Sequence, residues 1–241
     1  MLHKTEGIVL HITPYNDKFV IINMYTRDFG RASYMVAGTR GKKSRLSRSI
    51  MFPLSVVDLE VEHLATRDIQ RIKEARPLFI SARFNALPAK NALALFLSEI
   101  LYRLLQEKEA NHNLFDYLYR SIRYLEIVET GVANFHLVFL LQLSVYLGIR
   151  PDTQTYRPGR MFDLRNGVFV DTPPDHTDFL SSDDSAVFER LMRMTLENMS
   201  LYQFSRHERT DIIRHILAYY RIHVADFPEI KSLAVMQSIF D

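Results

Sequence analysis

Between Gly38 and Arg48 the chain places five cations, Arg40, Lys42, Lys43, Arg45 and Arg48, within eleven residues that include two glycines and no acid. A basic loop of this density follows a phosphate backbone by neutralising its charges. Arg27, Arg31, Tyr25 and Tyr34 lie just upstream and would add charge and flat ring faces of the kind that single strands stack on. Five phosphates of one strand neutralised together would give a log–log salt slope of about −3.5. The competing reading is a solvated connecting loop, which is what a run of like charges often is. The order Gly38, Gly41, Lys42, Ser44 superficially suggests a phosphate-binding P-loop, but only two residues separate Gly38 from the Gly-Lys pair where that motif needs four.

Other chemistries find little support. The chain has no cysteine, which excludes disulfides, thiolate metal sites and cysteine nucleophiles. Asp211 and His215 have the i, i+4 spacing of a ligand pair, although a surface ion pair fits the same spacing. Asp183-Asp184 reads as a helix start, and no Gly-x-Ser-x-Gly elbow is present. No cofactor is called for. A metal-dependent phosphoesterase built on Asp163, Asp171 and His176 stands as an alternative, and an RNA-binding module as another, since a basic loop does not by itself separate RNA from DNA. A second basic and aromatic set comprises Tyr102, Arg103, Tyr119, Arg120, Arg123 and Tyr124. Such groups suit an acidic peptide with an apolar end, or are a helix surface with snorkelling arginines.

The elements that must position these residues follow from periodicity. Residues 1–80 carry 13 Lys and Arg against 8 Asp and Glu, leaving 17 against 20 beyond them, so a basic module precedes a mildly acidic one. Five extended segments are predicted at Gly7–Ile12, Lys18–Thr26, Arg31–Ala37, Pro53–His63 and Asp68–Ala75. Val57, Leu59 and Val61 alternate with Asp58, Glu60 and Glu62, the pattern of a strand with one dry face. Turn residues at Pro14-Tyr15-Asn16-Asp17 and Arg27-Asp28-Phe29-Gly30 close two hairpins. Five antiparallel strands in about 75 residues fit a small OB-type barrel, with an SH3-like barrel as the competitor.

Beyond Arg76-Pro77 the period changes to that of helices. Leu93, Phe96, Leu97, Ile100, Leu101 and Leu104 share one face, Phe115, Leu118, Ile122 and Leu125 another, and 135–147 is apolar almost all round. A boundary near residue 80 therefore divides a barrel domain, 1–80, from a helical domain, 81–241. Residues 151–175 break the helical pattern, and Asn166-Gly167 between Met161–Leu164 and Val168–Val170 signals a β-hairpin. Ser181 or Ser182 starts a further helix, and a last long one runs from about Arg209 to Val224. The overall class is α+β. No segment has the roughly 20 apolar residues of a membrane span, and Met1–Gly7 lacks the pattern of a secretory signal, so the expected location is the cytoplasm.

These motifs resemble the RecO family of bacterial recombination mediators. The resemblance rests on Ile8-Val9-Leu10, the turn Tyr15-Asn16-Asp17, Thr26-Arg27-Asp28-Phe29-Gly30, the stretch from Ala37-Gly38-Thr39-Arg40 to Ser44-Arg45, and, near the far end, Tyr219-Tyr220 and Lys231-Ser232-Leu233. It implies an OB-fold domain followed by helices, binding of single- and double-stranded DNA, strand annealing without nucleotide hydrolysis, and loading of recombinase onto single strands. It also implies RecR and the C-terminal tail of single-stranded-DNA-binding protein (SSB) as partners. The nucleic-acid-binding candidates are then Arg27, Arg31, Tyr34, Arg40, Lys42, Lys43, Arg45 and Arg48, and the partner-binding candidates Arg103, Arg120 and Arg123. Many family members hold a zinc with four cysteines near the hairpin. This chain is expected to keep a metal-free remnant there, packed by Phe162, Leu164, Phe169 and Tyr156.

Overall fold

A computed structural model describes residues 2–37, 52–78 and 87–240. The basic segment Gly38 to Arg48, with Arg40, Lys42, Lys43, Arg45 and Arg48, lies outside the described residues. The first five strands are β1 (Leu2–Pro14), β2 (Phe19–Thr26), β3 (Gly30–Ala37), β4 (Val56–Glu62) and β5 (Ile69–Pro77). They form a closed barrel in the order β1-β2-β3-β5-β4. All neighbours are antiparallel except β3 and β5, which pair in parallel at Ser33↔Ile69, Tyr34↔Gln70 and Met35↔Arg71. That closure is the OB arrangement, and it removes the exposed sheet edges.

β1 extends well beyond Gly7–Ile12 because it serves two partners. Its first half pairs with β4 and its second with β2, and the register shifts between Val9 and His11. Such a bulge bends the strand as the barrel turns. Val9, Ile22, Met24, Ala32, Tyr34, Val57, Leu59 and Val61 fill the interior, so the alternation predicted for β4 is the observed one. Asn16 stabilises the β1–β2 turn by accepting hydrogen bonds from the backbone of Lys18 and Phe19, both at 2.9 Å.

The chain forms two compact units, Met1–Glu126 with Ile230–Ile239, and Ile127–Glu229 with Phe240–Asp241. The first contains the barrel, α1 (Pro88–Leu104), most of α2 (His112–Ile127) and α6 (Leu233–Ile239). Pro88 opens α1, where its missing N–H costs nothing. Leu93, Phe96, Leu97, Ile100 and Leu101 are buried as their spacing predicts. Glu99 of α1 accepts from the backbone N–H groups of Lys231 and Ser232 at 3.0 and 2.8 Å, and from the Ser232 hydroxyl, fixing the segment that leads into α6.

The β2–β3 turn docks on the segment that joins α1 to α2. Thr26 Oγ1 receives the Phe29 N–H at 3.1 Å and donates to the Gly30 carbonyl at 3.0 Å. Gly30 has φ +55, and a Cβ there would meet the backbone carbonyl oxygens of Glu109 and, at 2.6 Å, of Glu107. Arg31 donates its backbone N–H to Glu107 O at 2.8 Å and its guanidinium to the carbonyls of Tyr102 and Leu105 at 3.1 and 3.2 Å. Arg27 pairs with Glu6 at 2.6 Å and Asp116 at 2.8 Å, over the ring of Phe115. The Thr-Arg-x-x-Gly sequence is thus a clasp between barrel and helices.

The second unit is built on α3 (Phe135–Tyr146), buried almost all round and followed by Gly148 at φ +73. Around it lie α4 (Ser182–Met192) and α5 (Arg206–His223). Ser181 caps α4 by accepting from Asp184 N–H, and Ser205 with Glu208 forms a reciprocal capping box on α5. The expected hairpin is β6 (Met161–Asp163) with β7 (Val168–Val170), and Gly167 takes φ +67 in its turn. Phe162 and Phe169 are buried with ring centroids 4.8 Å apart, and Tyr156 meets Phe169 edge-on.

Asp163 organises the hairpin turn. Its carboxylate accepts from the backbone of Arg165 and Asn166 at 2.9 and 3.1 Å and from the Asn166 side chain at 2.7 Å. Burial alone would raise this carboxyl, but those hydrogen bonds, together with His176 at 3.5 Å, hold it below its ordinary value. The donor set does not fit a zinc: the chain has no cysteine, the Asp163 oxygens are already engaged, and no cluster of three ligating residues occurs among the described residues.

Three outcomes are expected. Gly30→Ala should cost about 3 kcal/mol, read as a lower urea midpoint, because both the left-handed backbone and the facing carbonyls oppose a side chain. Tyr34→Phe should raise the urea midpoint by the equivalent of about 1 kcal/mol, since the buried Tyr34 hydroxyl has no hydrogen-bond partner among the described residues. Asp163→Ala should cost about 2 kcal/mol at neutral pH. With a folded pKa below the unfolded one, the Asp163 contribution is complete above about pH 4 and is lost as pH falls through the folded value. The penalty of Asp163→Ala should therefore shrink on acidification, and a chelator should leave wild-type melting unchanged.

Candidate nucleic-acid interface

The structure places the upstream candidates in the barrel interior and in the clasp, not on one open face. Tyr34 is fully buried, and its place in the barrel interior leaves no ring face for a base; burial also pushes its phenol above the ordinary range. Tyr25 is buried too, with its phenol pushed up to about 12 by loss of solvent. Arg27 and Arg31 are committed to the clasp. Arg31 also lies over the Tyr102 ring at 4.2 Å, so releasing it for a phosphate would forfeit two carbonyl hydrogen bonds and a cation–π contact.

The strand register assembles a different surface. With Ile22, Met24, Ala32 and Tyr34 inside, the alternate positions of β2 and β3 point outward. One outer row runs His11, Asn23, Ser33, Ile69 across β1, β2, β3 and β5, and the next runs Thr13, Ile21, Met35, Arg71. Ser33 donates to Asn23 at 2.8 Å within the first row. Phe19 is exposed opposite Ala37, and Tyr15 is exposed in the adjoining turn. β3 ends at Ala37, and the basic segment Gly38 to Arg48 follows it in the sequence.

Charge divides the outside of the barrel. β2 and β3 contain no acidic residue, whereas Asp58, Glu60 and Glu62 occupy the outer positions of β4. Lys73 meets Glu62 at 2.8 Å, and Arg76 meets Glu74 at 3.1 Å. Arg71 and Arg67 are exposed and form no salt bridge among the described residues, although Glu62 lies opposite Arg71 on β4 and is held low by Lys73 and in part by the charges of both arginines. The acidic side chains thus gather on the β4 side, and the outer face of β2 and β3 carries none. Phe19, Ile21, Met35, Arg67 and Arg71 were not singled out by sequence. The acid-free alternation of β2 and β3 was the signal that could have found Phe19, Ile21 and Met35; Arg67 and Arg71 join them only through the parallel pairing of β5 with β3.

Among the helical candidates, Arg103 is exposed near the end of α1, with its guanidinium 5.3 Å from the Tyr102 ring centroid. Arg120 and Arg123 are exposed on α2. Asp211 pairs with His207 at 3.1 Å and Arg214 at 3.4 Å rather than with His215. Asp163 and His176 do approach one another, but Asp171 is bound by Arg160 at 2.7 Å, so these three residues serve the hairpin and its flank. No helix among the described residues is long and apolar enough to cross a membrane.

Comparison with known proteins agrees with this architecture along the whole chain. A family model described as the N-terminal part of recombination protein O matches residues 1–80, and one described as its C-terminal part matches residues 88–234. The chain is 44% identical over 241 residues to the DNA repair protein RecO of Azobacteroides pseudotrichonymphae, covering 100% of both chains. It is 42% identical over 240 residues to that of Phocaeicola vulgatus and 41% identical over 244 residues to that of Bacteroides fragilis, again with 100% of each chain covered. An OB barrel with an acid-free outer face, followed by helices and a small hairpin, thus coincides with matches to both parts of one family, and the chain belongs to the RecO family of DNA repair proteins.

Proposed function

We propose that the protein is a non-enzymatic mediator of recombinational repair in the cytoplasm, which binds single- and double-stranded DNA through its barrel. The observation that carries this reading is the acid-free outer face of β2 and β3, bordered on β5 by Arg71, with Arg40, Lys42, Lys43, Arg45 and Arg48 following β3 in the sequence. Phosphates would be neutralised by the basic segment and by Arg71, while Phe19, Ile21 and Met35 would offer sequence-tolerant contacts to bases. Holding two strands on such a surface lowers their mutual repulsion and promotes annealing. No covalent step is involved.

The barrel and the helices would divide the work. On this reading the exposed Arg103, Arg120 and Arg123 receive the acidic, apolar-ended tail of SSB. Engagement of that tail, together with RecR, would clear SSB from the strand so that recombinase can load.

The test is fluorescence anisotropy with labelled single-stranded DNA across a salt series. Neutralising Arg40, Lys42, Lys43, Arg45 and Arg48 together should weaken binding and flatten the log–log salt slope by about 3.5. Arg71→Ala alone should flatten it by about 0.7. Unchanged affinity and slope in both variants would remove the barrel from the interface, and equal affinity for RNA without binding of the SSB tail would favour a general RNA-binding module.

A further inference from the structure

A cleft of about 160 Å³ opens in the barrel unit beside the start of β3, between the β2–β3 turn and the β4–β5 turn. Its wall includes two stacked rings. Phe29 and His63 lie face to face with centroids 3.9 Å apart and planes within 9°, and His3 meets Phe29 edge-on at 5.4 Å. Burial and the neighbouring His3 lower the basicity of His63, so at neutral pH it presents a flat, uncharged ring.

The rim is held in place before any ligand arrives. Gln70 accepts the Leu64 N–H at 3.0 Å and donates to the carbonyls of Leu64 and Arg67 at 2.9 and 2.6 Å. This one amide ties the whole β4–β5 turn. Lys108 pairs with Asp68 at 3.1 Å, which cancels those two charges. Arg31 lines the inner side of the cleft, and Arg67 stands exposed on its rim, in no salt bridge among the described residues though within reach of the Glu62 charge. The lining of the cleft is therefore net cationic and ring-walled.

Its position links it to the outer face. Because β5 runs parallel to β3, going back along β5 from Arg71 leads past Ile69 to Arg67, and so from the Met35 row of the face to the cleft at the start of β3. We propose that this cleft is a subsite for one nucleotide of a bound single strand, its base against the Phe29–His63 pair and its phosphate at Arg67. The proposal rests on the DNA-binding reading of the outer face. The volume suits one base rather than a stacked pair, since a cavity of about 150 Å³ accommodates a single benzene ring. Aromatic stacking tolerates any base, so the subsite fixes the path of the strand and not its sequence.

The chain has no tryptophan, so single indoles serve as local reporters in the full-length protein. Phe29→Trp reports on the cleft, and Tyr15→Trp reports on the outer face. Oligothymidylate should quench both, and adding Arg67→Ala to the Phe29→Trp protein should weaken the quenching-derived affinity several-fold. Quenching in Tyr15→Trp alone would overturn the subsite and leave the DNA-binding face intact. Quenching in neither would remove the face and the subsite together. Quenching in Phe29→Trp by an acidic peptide with an apolar end, but not by oligothymidylate, would make the cleft a peptide site and overturn the proposal. Should Phe29→Trp misfold, the readout passes to a 2-aminopurine-labelled strand. Wild-type protein should then bind it with a change in emission, and His63→Ala should lower affinity about fivefold or more; equal affinity and emission would refute the subsite.

Discussion

The docking of the β2–β3 turn on the carbonyls between α1 and α2 is the constraint on which the rest of the first unit depends. A barrel of this size has a small interior and gains stability from surface that helices cover. Here the cover is specified by backbone polarity: Glu107 accepts the Arg31 N–H, Tyr102 and Leu105 accept its guanidinium, and Gly30 leaves room for the carbonyls of Glu107 and Glu109. Carbonyls at the end of α1 lack intrahelical partners, and a guanidinium with several fixed donors satisfies two of them at once. Arg27 adds Glu6 and Asp116 to the same joint.

This joint also settles which barrel surface stays open. The end of the β2–β3 face that bears Tyr25 and Arg31 is covered, and the end that bears Phe19, Ile21 and Met35 is not. Acidic side chains gather on β4, so the acid-free outer surface of the barrel is that of β2 and β3. The cations nearest the turn, Arg27 and Arg31, support the barrel, and on the proposed reading those on β5 and beyond Ala37 in the sequence serve phosphate.

Much of this was legible in the residues. The alternation of Val57, Leu59 and Val61, the turn at Asn16, the heptad-like spacing from Leu93 to Leu101 and the Asn166-Gly167 hairpin all carry local signals, and local signals suffice for elements. The parallel pairing of β3 with β5 joins residues more than thirty positions apart and leaves no period in the sequence. The side of a strand on which Tyr34 falls depends on that closure, which is why its ring reads as available from sequence and is buried in the fold. Arg27 and Arg31 mislead for another reason: a guanidinium aimed at helix carbonyls and one aimed at phosphates have the same spacing. The hint lay in Gly30, because a glycine that closes a turn next to an arginine leaves space for another backbone.

The attachment of Ser232 to Glu99 has a consequence for the order of events during synthesis. The first unit needs Ile230–Ile239 as well as Met1–Glu126, so the carboxylate on α1 waits for its partners until the ribosome has made nearly everything between them. The main body of the second unit, Ile127 to Glu229, is contiguous and is made before those partners emerge. A nascent chain stalled before Lys231 would leave Glu99 without those donors, and the later arrival of Ile230–Ile239 would act as the latch that finishes the first unit.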